Sequence, residues 1–111
     1  MSFPVQITFR GLDHSEALDT LIRDEAAKLE KFFDAVVSCR VLVERQTGLH
    51  HSAAPYVVRV SLVVPGADLA IATEPSDDAA AAVRDTFRRA RRRLQDRARR
   101  RAGPHVRASL R

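Results

Sequence analysis

The stretch FRRARRRLQDRARRR, Phe87 to Arg101, sets the tightest limit on what this chain can fold into. At helical steps, Val83, Phe87, Ala90 and Leu94 fall within an arc of about 60°. Arg84, Arg88, Arg89, Arg91, Arg92, Arg93, Arg99 and Arg100 cover the rest of the surface. A helix of this kind can be buried along one narrow stripe only, and a sheet is the surface that accepts such a stripe. Arg101 returns to the line of Val83, where a core residue is expected. The helix is therefore expected to have run past the sheet by that point, leaving residues 103–111, GPHVRASLR, as a basic, flexible tail on a domain of residues 1–102.

The sheet that this helix needs is written upstream. Val5, Ile7 and Phe9 alternate with Gln6, Thr8 and Arg10, the period-two pattern of a half-buried strand ending at Gly11. A helix follows, with Asp13 or Ser15 as its N-cap and with Leu18, Leu21, Ile22, Leu29, Phe32 and Phe33 as its apolar stripe, stopping near Asp34. Alternation returns from Val36 to Arg45, with Val37, Cys39, Val41 and Val43 as the apolar set. It returns again over Tyr56, Val58, Val60, Leu62 and Val64, up to the Pro65-Gly66 turn. Leu69 and Ile71 mark a short fourth strand, and QTGLHHSAAP between the second and third is a polar loop without periodicity. The second helix starts after Pro75, with Ser76 or Asp77 as cap and Asp78 placed for the helix dipole.

The order is β-α-β-β-β-α. The helical crossover makes the first two strands parallel, and the short connections make the other pairs antiparallel. The fold class is α+β, a two-layer sandwich of a four-stranded mixed sheet with both helices on one face. Gln6, Thr8, Ser38, Arg40, Arg59 and Ser61 then line a wet opposite face.

Charge divides the chain more sharply than its net value of +5 suggests. Residues 1–83 carry seven Lys and Arg against twelve Asp and Glu, a net −5, whereas residues 84–111 carry twelve arginines against Asp85 and Asp96, a net +10. Ordinary surface helices interleave both signs. Here Arg84/Arg88, Arg88/Arg92 and Arg89/Arg93 are like charges at i,i+4, each costing a few tenths of a kcal/mol, which points to an anion that offsets the repulsion. A membrane surface fits poorly, because a narrow stripe already committed to the sheet leaves no broad apolar face to insert. Phe9, Phe32, Phe33, Phe87 and Tyr56 sit at expected core positions and there is no Trp, so no stacking platform for single-stranded bases is expected. Arginine forks suit phosphate and shape, which favours structured RNA or duplex backbone.

Catalysis is not expected, since no nucleophile sits beside a base and the carboxylates fall on outer helix faces. Cys39 is the single cysteine, which excludes a disulfide framework and a Cys-based zinc motif; it reads as a small buried hydrophobe. The adjacent His50 and His51 point apart in an extended chain, and His14 and His105 read as surface residues, so no metal or other cofactor is expected. The apolar runs are too short to span a bilayer and nothing resembles a signal peptide, so a cytoplasmic protein without small-molecule substrate is expected.

The ordered residues resemble those of the ribosome hibernation-promoting factor and ribosome-associated inhibitor family. In SEALDTLIRDEAAKLEKFFD, Ser15 to Asp34, the E-A-L, the A-K-L-E and the aromatic-plus-acid of that family recur at the same spacings. VQITFRG and AAVRDTFRRARRRLQD support the likeness, which spans roughly residues 4–101. The resemblance implies the same β-α-β-β-β-α domain, bound to 16S rRNA in the decoding channel of the small subunit and of the 70S ribosome, acting by occupancy under stress or in stationary phase. Carried over by position, Lys28, Arg89 and Arg92 are the expected phosphate contacts; Lys31, Arg88, Arg93 and Arg100 join them from the helical wheel. Two positions depart from the pattern: Ala79 and Ala80 replace an apolar residue and a tyrosine, and Asp96 replaces a lysine. Long members add a domain that pairs ribosomes, and the chain reads as the short form. The alternatives are a structured-RNA binder outside the ribosome and a protein-interaction module that self-associates through its open sheet face or an edge strand.

Overall fold

The computed structural model describes residues 3–46 and 55–109, with side chains described up to residue 100. The elements follow the expected order: β1 (Val5–Arg10), α1 (Glu16–Phe32), β2 (Ser38–Arg45), β3 (Tyr56–Val64), β4 (Ala67–Ala72) and α2 (Ala79–Ser109). The strands form one sheet in the order β1-β2-β3-β4, with β1 parallel to β2 and the remaining pairs antiparallel. The loop with His50 and His51 lies outside the described residues, as do the side chains of the expected tail.

Register turns the alternating patterns into layers. Ile7, Val41, Val60 and Ile71 stand in one row across all four strands, and Val5, Cys39, Leu62 and Leu69 in the next. Phe9, Val43 and Val58 form a third. Ile22, Ala26 and Leu29 of α1 and Val83, Phe87, Ala90 and Leu94 of α2 close over these rows, all buried. α2 lies over β3 and β4, and α1 packs beside it. The opposite face keeps Gln6, Thr8, Arg40, Arg59 and Ser61 exposed.

Two glycines are dictated by backbone. Gly11 has φ +79°, and a Cβ there would stand 2.4 Å from the Arg45 carbonyl oxygen, so no side chain fits where β1 leaves the sheet. Gly66 has φ +83° in the tight β3–β4 turn, the left-handed position that follows proline in a type II turn.

The caps resolve two alternatives. Ser15 caps α1, its Oγ accepting from the Leu18 N–H at 3.2 Å. For α2 neither Ser76 nor Asp77 is the cap: Asp78 Oδ1 accepts from the Ala81 N–H at 3.1 Å, and Ser76 Oγ supports Asp78 by accepting its N–H at 3.0 Å.

Four expected core positions need correction. Val37 is 54% exposed, because β2 begins only at Ser38 and Val36, at 6%, takes the buried place. Phe32 is 67% exposed. As the last residue of α1 it lies about 80° around the helix from Ile22, at the margin of the stripe, while the capping residue Phe33 turns inward against the core. Phe9 and Tyr56 are half-buried, leaving Phe87 as the fully buried aromatic among the five. Phe3, which no periodicity marks, is buried at 3%.

Candidate nucleic-acid interface

Thirty-one residues of helix with one buried stripe leave most arginines of α2 outward, but their surroundings differ. The position of α2 over β3 and β4 places one flank of the helix along β4, an edge strand. Arg89, Arg92 and Arg93 line an open groove of about 430 Å³ there, with Asp96 and the Ala70–Ala72 segment as its other walls. Among the described residues, none of these three arginines has a hydrogen-bond or ion-pair partner. Three guanidinium forks stand together beside an edge strand, and each offers the planar, bidentate donor geometry that matches a phosphate or carboxylate. Asp96 sits in that groove and is also 3.8 Å from Arg99, so the acid that replaces a lysine of the family pattern lowers the local positive field.

The other expected contacts are placed elsewhere. Arg88 turns to Asp85, one turn earlier, in a short surface pair. Lys28 Nζ donates to Glu25 Oε2 at 2.9 Å, and Glu25 is itself buried, so this lysine is partly committed to its own helix. Lys31, in the last turn of α1, and Arg100 are exposed and unpartnered among the described residues. The seven residues therefore divide: Arg89, Arg92 and Arg93 share a groove, whereas Lys28, Lys31, Arg88 and Arg100 do not line it.

Two features escape a linear reading. Arg97 donates to the Pro65 carbonyl at 2.8 Å, tying the helix to the β3–β4 turn, a partner that only the fold brings near. Phe32 lines a second, apolar concavity of about 370 Å³ with Phe33, Leu94 and Ala98. The exposed ring overturns the expectation that every aromatic is spent in the core, and position at the helix end was the signal for it.

The chemistry of catalysis has little to work with. Burial pushes the Cys39 thiol up to about 12, so it is protonated at neutral pH and no nucleophile. Among the described residues no group of three or more His, Cys, Asp or Glu is placed to hold a metal ion, and no helix is long and apolar enough to cross a membrane.

No curated protein matches the chain. A ribosomal subunit interface protein from Coxiella burnetii superposes with a TM-score of 0.73 at 19% identity, over 86% of this chain and 98% of that one. The N-terminal domain of Thermus thermophilus Protein Y superposes with a TM-score of 0.67 at 17% identity, over the same shares, 86% and 98%. At these identities the likeness establishes the fold. Residues 5–102 match the family model described as Sigma 54 modulation protein / S30EA ribosomal protein. The match takes in most of the chain, including α1, all four strands and α2 as far as residue 102, and on it the chain belongs to the Sigma 54 modulation protein / S30EA ribosomal protein family.

Proposed function

We propose that this protein binds 16S rRNA in the decoding channel of the small ribosomal subunit, where it covers the sites of messenger and transfer RNA and so silences or preserves ribosomes under stress or in stationary phase. The observation that carries this reading is the groove of unpartnered Arg89, Arg92 and Arg93 along the β4 edge. Family membership and the identity of a structural neighbour, a ribosomal subunit interface protein, support the ribosome as the source of the phosphates. The mechanism is occupancy in the cytoplasm, without chemistry. Arg89 and Arg92 grip phosphates from the groove, Arg93 extends the contact, and Lys28, Lys31, Arg88 and Arg100 add a weaker surrounding field. Most of the affinity is counterion release, so it falls steeply with salt.

The test is co-sedimentation with isolated 30S, 50S and 70S particles at low and moderate salt, with transfer RNA as competitor. Saturable binding to 30S and 70S, displaced by transfer RNA and lost in Arg89→Glu/Arg92→Glu at an unchanged melting temperature, is the expected result. Weak, unsaturable binding to all particles, equally lost with salt, would show a general polyanion surface.

A further inference from the structure

The helices do not carry all of the uncompensated charge. On the far side of the sheet, Arg10, Arg40 and Arg59 line a shallow concavity of about 280 Å³ together with Gln6, Thr8 and Ser61, and no carboxylate is in its lining. Among the described residues none of the three arginines has a hydrogen-bond or ion-pair partner, although Arg10 stands opposite Glu44 in the register. Arg40 pairs with Ser61 and Arg59 with Leu42, which makes Arg40 and Arg59 diagonal neighbours across β2 and β3. Diagonal positions on one face of an antiparallel pair lie about 7–8 Å apart, within reach of side chains as long as arginine. Like charges so placed repel, and an anion between them removes the repulsion. The remaining polar side chains of the lining, two hydroxyls and an amide, are hydrogen-bond partners for phosphate and ribose oxygens. Leu42, the single large apolar side chain of the concavity facing this side, is half-buried in it and provides no anchor of the kind a protein partner needs.

We infer that this open sheet face is a second RNA-binding surface, in which Arg10, Arg40 and Arg59 hold the phosphodiester backbone of an RNA segment different from the one on α2. This rests on the ribosomal RNA reading above. The groove beside β4 and the arginines of the open face are carried on opposite layers of a thin two-layer domain. Such a domain is filled from both sides by a cleft between two RNA segments, and a flat RNA surface would engage one side alone. Charge decides the class of partner: a concavity lined by three free cations and hydrogen-bonding groups complements phosphate.

The experiment compares the whole protein with Arg40→Gln/Arg59→Gln and with Arg89→Gln/Arg92→Gln, all titrated onto isolated 30S particles across a salt series, with hydroxyl-radical footprinting of the rRNA. All four side chains are exposed, so melting temperatures should agree, and circular dichroism checks this. The open-face variant should lose at least tenfold in affinity, its slope of log affinity against log salt should fall by about 1.5 to 2, and a set of rRNA positions should lose protection that the helix variant still protects at saturating concentration. Unchanged affinity and slope in the open-face variant, with the helix variant impaired, would overturn this inference and leave the ribosomal reading standing. Wild-type binding by both variants would overturn both. Lost affinity with no change in the rRNA footprint would assign the face to an acidic ribosomal protein surface and so overturn the phosphate assignment.

Discussion

α1 and α2 cover the same sheet and bury the same kind of stripe, yet they treat charge in opposite ways. α1 compensates itself: Arg23 donates to Asp19 at 2.7 Å and Lys28 to Glu25 at 2.9 Å, both within one turn. α2 holds Arg84, Arg89, Arg92 and Arg93 without partners among the described residues, and its short pairs engage Arg88 and Arg99 only. Internal pairs contribute a few tenths of a kcal/mol each and make a stable, unremarkable surface. Forgoing them costs a similar amount and leaves guanidinium groups ready for a ligand. The difference teaches that both helices wall the core, while α1 spends its charges on internal pairs and α2 leaves guanidinium groups unpaired beside an edge strand.

The largest test of this division concerns two phenylalanines. Phe87 of α2 is buried at 1% and Phe32 of α1 is 67% exposed. Phe87→Ala should lower stability by about 3–5 kcal/mol, and Phe32→Ala by about 0.5 kcal/mol or less, in urea titrations followed by circular dichroism. Equal losses would show that the exposed ring is packed after all. Next come the caps. Ser15→Ala and Asp78→Ala should each cost about 1 kcal/mol, with Asp78→Ala the more damaging, because α1 keeps Glu16 and Asp19 in its first turn and α2 has no acid there. The reverse order in thermal melts would mean that the dipole of α2 is compensated elsewhere. The smallest stability effect is the most diagnostic. Arg93→Glu replaces a repulsive neighbour of Arg89 and Arg97 with an attractive one but sets a like charge beside Asp96 at i,i+3, so the melting temperature should stay within the equivalent of a few tenths of a kcal/mol of the wild type, while affinity for 30S particles falls roughly tenfold. A fall in both would place Arg93 in the fold and take it out of the interface.

How much of this could be read along the chain depends on how local each cause is. Strand and helix identity, the buried stripe of Val83, Phe87, Ala90 and Leu94, and the parallel-then-antiparallel pairing all follow from periodicity and connection length, and all appear in the structure. Cys39 likewise takes the core place that its β-branched neighbours imply, with 1% exposure. Val37 and Phe32 were misplaced for a single reason. Each lies at the end of an element, where the period that assigns a face has no further turn to enforce it. The cap of α2 was missed by one residue, because Ser76, Asp77 and Asp78 are all competent caps and only backbone geometry selects among them.

What the sequence determined by itself was therefore the element order, the sheet with its two helices, the uncompensated charge of α2 and the family resemblance carried by Ser15 to Asp34. These are properties of nearest turns and alternate residues, which repeat at short range. Only the tertiary structure decided which cations share a surface. Arg89, Arg92 and Arg93 face a groove because β4 is the edge strand beneath α2, Lys28 is drawn to Glu25, and Arg40 and Arg59 become diagonal neighbours through the β2–β3 register. Strand order and register join residues far apart in the chain, and no local period encodes which of them meet.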